Sequence, residues 1–311
     1  MQHGQNNDGD EVKNGEETVG SWLRQDCLEF YRKELLLPDG SSSTTANKSR
    51  LKHSRKSPPI QVKERLGLLR LGIDKSMVVK QRFPNAQFLE FGVHEGKDMV
   101  RMATFLRSVE EKKRPKSGSS KTQPLSHTTF HGFDSFEGLP EDWINGQTGE
   151  DDKPFHKKGA FDTGGDPPDV DSVRRDLRLS TEEPLSVQFH KGWFDETLPQ
   201  FLNGKDEHGD QHVDEPVAFV HADADLYTST KTVLDLLCEK KLFRKGSIVI
   251  FDEFWNYPNW QNGEYKAWLE TVENFGLEYE YFAYHAPHPT RQRKEYGYQS
   301  VGVMITRDMG R

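Results

Sequence analysis

Two apolar runs that each end abruptly in acidic residues constrain the fold of this chain more than any other feature. Residues 217–221 lead into Asp223 and Asp225, and residues 247–251 lead, about one helix later, into Asp252 and Glu253. Continuous apolar runs of this kind are typical of strands buried on both faces of a parallel sheet, whose carboxyl ends open into a binding site. The pattern therefore predicts that the four carboxylates meet at one end of a sheet.

Four carboxylates in one place repel one another unless a cation or a shared proton offsets their charge. Oxygen ligands of this type suit a hard divalent ion such as Mg²⁺. Acidic residues at a strand-to-helix turn are also common helix caps, so either pair alone leaves a capping role open. The presence of two pairs favours a metal site.

Composition narrows the classes of partner. The formal net charge is −8 and the pI is near 5.9, which argues against a general binder of nucleic acid or anionic membrane. The sequence has no 18-residue apolar run and no signal-peptide pattern at its start, so we expect a cytoplasmic protein. Its two cysteines, Cys27 and Cys238, are too few for a disulfide framework or a thiolate zinc site.

The chain divides into a polar N-terminal extension, residues 1–60, and one domain, residues 61–311. The extension carries one short helix at about 17–37 and a Ser/Thr/Pro linker. In the domain, helix-like and strand-like segments alternate, which predicts an α/β fold with a mostly parallel seven-stranded sheet and helices on both faces. The last two strands follow each other without a helix and predict an antiparallel hairpin at one edge. The predicted strands are 87–92, 129–133, 186–190, 217–221, 247–251, 279–284 and 299–305.

A pair of glycines, Gly92 and Gly96, follows the first predicted strand of the domain. Glycine permits a sharp turn and a close approach of the backbone to a ligand. The spacing differs from the G-x-G-x-x-G fingerprint that surrounds a pyrophosphate. Glu90, at the end of the strand, suits a ligand with a cationic amino group. A turn without a binding role stays open.

The next two strand ends predict the rest of a nucleoside site. Asp134, with Ser135 beside it, follows the second strand, where an acid can accept hydrogen bonds from ribose hydroxyls. Gly192 and Trp193 follow the third strand and could flank an adenine ring. Asp134 could instead cap a turn, and Trp193 could be a core residue.

Together these segments resemble a class I S-adenosylmethionine-dependent methyltransferase, and more narrowly the macrocin O-methyltransferase (TylF-like) family. The resemblance covers roughly residues 85–305 in the order of the family. It implies a Rossmann-like fold and a divalent-metal-dependent methylation of sugar hydroxyls. The segments that carry it are 90–96, 132–140, 191–199, 223–230 and 246–253.

For individual residues, the resemblance implies cofactor contacts at Glu90, Gly92, Gly96 and Asp134. It also implies a metal ion, Mg²⁺ or another divalent cation, held by Asp223, Asp252 and Glu253. The family often has two aspartates where this chain has Asp252 and Glu253.

Methyl transfer to a hydroxyl also requires a general base and an acceptor pocket. Asp225 is the first candidate for the base and His285 the second, although Asp225 could be a metal ligand or a helix cap. Trp143, Trp255 and Tyr257 could stack on a sugar or another ring of the substrate, or pack as a lid.

The leading interpretation is therefore an O-methyltransferase that acts on a small hydroxylated molecule and has no nucleic-acid or membrane partner. A homo-oligomer is left open. The D-x-D triplet 223–225 also allows a metal-dependent nucleotide-sugar glycosyltransferase. A third hypothesis is a non-catalytic binding module of methyltransferase fold. The glycine loop and Asp134 favour adenosine binding and hence the methyltransferase.

Overall fold

The computed structural model describes residues 23–36, 58–112, 128–144, 154–182, 184–204, 215–286 and 299–310. None of the helices within these ranges is long and apolar enough to cross a membrane. The strands are β1 (Ile60–Val62), β2 (Gln87–Phe91), β3 (Phe130–Asp134), β4 (Trp143–Ile144), β5 (Pro154–His156), β6 (Val187–Lys191), β7 (Val217–Ala222), β8 (Phe243–Trp255), β9 (Tyr279–His285) and β10 (Gln299–Ile305). The α-helices are α1 (Leu28–Phe30), α2 (Arg65–Arg82), α3 (Lys97–Lys112), α4 (Val170–Asp176), α5 (Phe194–Asn203), α6 (Tyr227–Glu239) and α7 (Glu264–Phe275).

Eight of the strands form one sheet in the order β1-β9-β10-β8-β7-β2-β3-β6. All neighbours pair in parallel except β10, which is antiparallel to both β8 and β9. The predicted fold class and the antiparallel C-terminal pair are confirmed. The eighth strand, β1, was not predicted, because three residues with mostly exposed side chains carry no readable hydrophobic pattern.

The central strands form two cores, one on each face of the sheet. Leu89 and Phe91 of β2 contribute to one apolar cluster, whereas Phe88 contributes to the other. Successive side chains of a strand point to opposite faces, so the near-continuous apolar runs of β2, β7 and β8 fill both cores.

The strand order reverses between β2 and β7, where the chain continues to opposite sides of the sheet. The backbone N–H of Asp223, just past β7, donates to the carbonyl of Phe91 at the end of β2, at 2.9 Å. Ligands in open α/β sheets bind at such a switch point, outside the carboxyl ends of the strands. The glycine loop and the first acidic pair therefore meet at one place.

The described part of the N-terminal extension packs against the domain. A 3₁₀ turn (Gln25–Cys27), α1 and a π turn (Tyr31–Leu35) form one short helical segment. The ring of Phe30 lies 5.4 Å from that of Trp255 and 5.2 Å from that of Trp260, measured between centroids. This segment lies within the helix predicted at about 17–37, of which only residues 23–36 are described, and the predicted Ser/Thr/Pro linker falls largely outside the described residues. The division into residues 1–60 and 61–311 stays a prediction, and β1 straddles it.

Candidate active site

A cavity of about 1000 Å³ lies at the carboxyl ends of the parallel strands. Its size is at the upper end of the range for ligand pockets, so it can hold two small molecules side by side. Of the described residues predicted for the site, nine line this cavity: Glu90, Gly92, Asp134, Ser135, Trp143, Trp193, Asp223, Asp225 and Glu253. Six do not line it: Gly96, Gly192, Asp252, Trp255, Tyr257 and His285.

The glycine loop turns sharply where β2 meets β7. Gly92 has a φ of +92°, and a Cβ added to it would lie 1.8 Å from the carbonyl oxygen of Asp223. No side chain fits there, because a Cβ would overlap that backbone atom. Gly96 also has a positive φ, of +73°, but its neighbour is the ring of Pro168. Only the first glycine is therefore required by the contact between the two strand ends.

Asp134 ties the loops after β2 and β3 together. Its Oδ2 accepts hydrogen bonds from the backbone N–H groups of Val93 and His94, each at 2.8 Å, and its Oδ1 accepts one from Phe136 at 2.7 Å. The turn-capping role that sequence reasoning left open is thus present. Because the residue also lines the cavity, contact with a ribose remains a proposal.

The loop after β6 closes the same end of the cavity. The N–H of Gly192 donates to the backbone carbonyl of Asp134 at 2.9 Å, and its φ of +137° turns the chain into α5. Trp193 precedes α5 and lines the cavity, while Phe194 packs edge-on against Phe91 at 5.4 Å. Both aromatic residues line the cavity, and Phe194 in addition packs on the sheet.

Glu90 is a buried acid with an incomplete set of partners. Its Oε1 lies 2.9 Å from Nδ1 of His221, whereas Oε2 is buried and has no hydrogen-bond partner among the described residues. Burial raises the pKa of Glu90 to about 7, although the hydrogen bond from His221 acts in the opposite direction. A buried polar atom left unpaired at a cavity wall indicates a ligand that would satisfy it.

The predicted acidic cluster (Asp223, Asp225, Asp252 and Glu253) is assembled at the ends of β7 and β8. Two groups of side chains have ligand atoms within 4.8 Å of one another: His221, Asp223 and Asp252 form one, and Asp223, Asp225 and Glu253 form the other. Asp223 belongs to both groups. Glu253 Oε2 is buried without a hydrogen-bond partner among the described residues. The oxygen-rich second group and this unpaired atom fit a hard divalent cation.

The pKa values of the four acids of the cluster shift in two directions. Burial, and then the negative charge of Asp252, raise the pKa values of Asp223 and Glu253 well above their usual range and that of Asp225 to about 7. Burial alone would also raise the pKa of Asp252, but Arg65 and His221 outweigh it and hold that pKa below its ordinary value. Among the four acids, Asp252 is therefore the one that Arg65 and His221 hold most firmly in its charged form.

Arg65 is the main residue of the site that sequence reasoning missed. As the first residue of α2 it donates to Asp223 Oδ2 at 2.8 Å, and it also bonds to Asp98 and Asp252. Its guanidinium thus reaches carboxylates from α3 and from both acidic strand ends. Arg65 follows the unpredicted strand β1 and lies in no recognisable motif, so no signal in the sequence pointed to it.

His285 and the predicted aromatic residues are more scattered. His285 ends β9, where burial lowers its pKa, and it is near enough to Asp252 and Arg65 for their charges to act on it. Trp255 is fully buried and stacks on Tyr31, with ring planes 8° apart and centroids 5.9 Å apart. The structure therefore places Trp255 outside the cavity, on the surface against which the N-terminal helical segment packs.

A row of aromatic rings links the glycine loop to the segment after β8. Centroid distances along the row are 5.9 Å from His94 to Phe161, 4.8 Å from Phe161 to His156, 5.5 Å from His156 to Trp143 and 6.1 Å from Trp143 to Tyr257. All but Tyr257 line the cavity. Phe161, 42% exposed and with a φ of +68°, is a large apolar side chain held open to solvent at the wall of the site.

Strand order, glycine turn and acidic strand ends together define a class I methyltransferase. The chain belongs to the macrocin O-methyltransferase (TylF) family, whose model matches residues 60–266, well over half of the sequence. It is therefore an O-methyltransferase, and S-adenosylmethionine is the methyl donor of its class.

Solved structures similar to this chain include two further O-methyltransferases and a calicheamicin enzyme. The calicheamicin methyltransferase CalS11 is 24% identical, with 78% of this chain and 80% of that one covered and a TM-score of 0.48. The O-methyltransferase NovP is 23% identical over the same shares, also with a TM-score of 0.48. An O-methyltransferase from Bacillus cereus, in complex with SAH, is 14% identical, with 76% and 80% covered and a TM-score of 0.39. A search of curated proteins found no significant match.

Proposed function

We propose that this chain transfers the methyl group of S-adenosylmethionine to a hydroxyl of a small ring-bearing molecule, with the help of a divalent cation. One observation carries the proposal. Glu90 and Glu253 both line the same cavity, and each keeps one buried carboxylate oxygen without a hydrogen-bond partner among the described residues. Two cationic groups of different kinds would satisfy the two oxygens.

The first cationic group is the amino group of the methyl donor, beside Glu90. The loop around Gly92 would let the donor approach the backbone, Asp134 and Ser135 would face its ribose, and Trp193 would lie against its adenine. Each of these residues lines the cavity. Gly96 and Gly192 shape the two loops and would support the donor indirectly.

The second cationic group is a divalent ion such as Mg²⁺ at the acidic cluster. The family resemblance assigns the ion to Asp223, Asp252 and Glu253. Asp223 has ligand atoms within 4.8 Å of those of each of the other two, although Asp252 groups with His221 and Glu253 groups with Asp225. When bound, such an ion lowers the pKa of an acceptor hydroxyl and orients it. Arg65 occupies Asp223 and Asp252 in this structure, so we expect the ion and the guanidinium to compete for these two carboxylates.

The chemical step is an in-line displacement. The bond from the methyl carbon to sulfur breaks as the bond to the acceptor oxygen forms, and the donor leaves as a neutral thioether. The hydroxyl proton passes to a base, for which Asp225 is the first candidate. Asp225 belongs to the acidic cluster and lines the cavity, and its carboxylate makes no hydrogen bond among the described residues. His285 is the second candidate. The protein mainly positions the reactants and stabilises the developing alkoxide.

The acceptor is proposed to be a sugar moiety or a similar ring, because aromatic side chains line one wall of the cavity. Trp143, His156 and Phe161 offer flat apolar faces to a ring that carries hydroxyl groups. Tyr257 supports Trp143 from outside the cavity. The cytoplasmic location and a homo-oligomeric state remain predictions.

Calorimetric titration tests the proposal. S-adenosylmethionine and S-adenosylhomocysteine should bind, and turnover of hydroxylated ring compounds should require Mg²⁺. If only a nucleotide sugar bound, the result would support the glycosyltransferase hypothesis instead. Binding of the cofactor without any turnover would support a non-catalytic module.

The Asp225→Asn variant separates the two roles open to that residue. If Asp225 is the base, the variant loses turnover by about 10²-fold or more while its affinity for Mg²⁺ stays near that of the wild type. A loss of Mg²⁺ affinity of similar size would make Asp225 a metal ligand, as its grouping with Asp223 and Glu253 allows.

A further inference from the structure

His221 lies between the two halves of the site. It is fully buried on β7 and is paired in register with Glu90 of β2 on one side and with Ile250 of β8 on the other. Asp252 follows Ile250 by two residues, so its side chain points to the same face of the sheet. The imidazole is thus flanked by a carboxylate from each neighbouring strand.

The two ring nitrogens face different carboxylates. Nδ1 lies 2.9 Å from Glu90 Oε1, which is a hydrogen bond, and Nε2 lies 3.7 Å from Asp252 Oδ1, which is an ion-pair contact. Glu90 and Asp252 are themselves less than one tenth exposed. Water has little access to either contact, so the imidazole orients Glu90 through a hydrogen bond and acts on Asp252 together with Arg65 and Ser300.

The two carboxylates differ in their further contacts. The Asp252 oxygen that faces His221, Oδ1, also accepts a hydrogen bond from Ser300 at 3.1 Å and one from Arg65, whereas Oε2 of Glu90 has no partner among the described residues and lies at the cavity wall. A movement of either carboxylate toward a ligand must therefore be accommodated by His221. Because the imidazole contacts both carboxylates, a shift of one carboxylate changes the position of the other.

We propose that His221 is a positioning residue that joins the cofactor half of the site, at Glu90, to the metal half, at Asp252, so that occupation of one half alters affinity at the other. The inference rests on the proposed function, since it takes the donor amino group to be bound at Glu90 and a divalent ion at the acidic cluster. It assigns to His221 no contact with either ligand.

The test is calorimetry on the full chain with the variant His221→Asn, using S-adenosylhomocysteine and Mg²⁺ as the two probes. We expect both affinities to fall by about tenfold or more, because loss of a residue that orients metal ligands typically costs 10–100-fold in affinity. His131→Asn is the matched control, since His131 is also a buried strand histidine and bonds to His190 at 3.1 Å. It should leave both affinities within about twofold of the wild type.

A second measurement needs no substitution. In the wild type, the affinity for S-adenosylhomocysteine should differ by about threefold or more between zero and saturating Mg²⁺, and Mg²⁺ affinity should change by the same factor when the cofactor product is present. In His221→Asn, or in His221→Gln if the first variant does not fold, this factor should fall to one.

The outcomes separate the two proposals. Wild-type binding of both probes with equal affinities in the presence and absence of the other overturns the role of His221 and leaves the proposed function intact. The same holds if His221→Asn weakens only one probe, or if His131→Asn weakens both equally. Failure of the wild type to bind S-adenosylhomocysteine overturns the proposed function, and this inference with it.

Discussion

The docking of the N-terminal helical segment (residues 25–35) can be tested by removing one ring. Phe30 is 6% exposed, and its ring contacts those of Trp255, Trp260 and Tyr265 at centroid distances of 5.4, 5.2 and 5.5 Å. The variant Phe30→Ala leaves a cavity at the centre of these contacts. We expect the segment to detach while the domain beneath it stays folded.

The magnitude follows from the burial of the ring. Truncation of a buried Phe to Ala typically costs about 3–5 kcal/mol. An isolated helix of about ten residues is marginal in water, so the segment has little stability of its own to offset that loss. At about 1.4 kcal/mol per factor of ten, the detached population should rise roughly 10²- to 4 × 10³-fold.

The thiol of Cys27 reports that population. It is fully buried in the docked segment, and burial, together with the nearby charge of Asp26, raises its pKa to about 12. A thiol reagent at pH 8 should therefore modify the native protein very slowly and Phe30→Ala about 10²-fold faster. Cys238, buried in α6, is the internal reference and should stay protected in both proteins.

Lys33→Ala is the control within the same segment, because the Lys33–Glu29 pair is exposed and contributes little. It should leave the rate at Cys27 unchanged. An unchanged rate in Phe30→Ala would refute the reasoning. An equal acceleration at Cys27 and Cys238 would also refute it, since that result would mean that the segment does not detach separately from the domain.

Three further outcomes are expected. Gly92→Ala should abolish binding of S-adenosylhomocysteine and lower the melting temperature sharply, because its Cβ would overlap a backbone oxygen; Gly276→Ala, also at positive φ but with open space around it, should cost only about 1 kcal/mol. Arg65→Gln should lower the free energy of unfolding by about 2 kcal/mol, less than for a fully buried pair because the side chain is 29% exposed. Mg²⁺ should raise the melting temperature of this variant more than that of the wild type. The control Arg82→Gln, at an exposed ion pair, should change neither the stability nor the response to Mg²⁺. Phe161→Ala should raise KM for the acceptor without a change in cofactor affinity, measured by steady-state kinetics and calorimetry, and an equal loss of both would contradict its place on the acceptor wall.

The central sheet could be predicted from the sequence because its central strands are apolar on both faces and are followed by glycine or acidic residues. The five predicted parallel strands and the predicted antiparallel pair of β9 and β10 all exist. The gathering of Asp223, Asp225, Asp252 and Glu253 was predictable for the same reason, since parallel strands share one carboxyl end.

What the sequence did not reveal are contacts between distant parts of the chain. Arg65 is far in sequence from the three carboxylates that it reaches, and His221 gave no sign of its two partners because hydrogen-bonded histidines have no pattern of their own. Trp255 was expected at the substrate, but its place was decided by the helical segment that packs on it. An aromatic residue after a strand can bind a ligand or pack in the core, and only the residues around it in the folded protein show which of the two roles it has.

The short strand β1 has a consequence for how this chain behaves among copies of itself. It pairs in parallel with β9, from Ile60 opposite Ala283 to Val62 opposite His285, and so covers what would otherwise be the border of the sheet. An uncovered border strand presents a row of free backbone donors and acceptors to which another chain can add. A shortened protein that began after residue 62 would keep every cavity-lining residue, but the seven-residue β9 would replace the three-residue β1 as the border of the sheet, so we expect it to associate more readily than the longer chain.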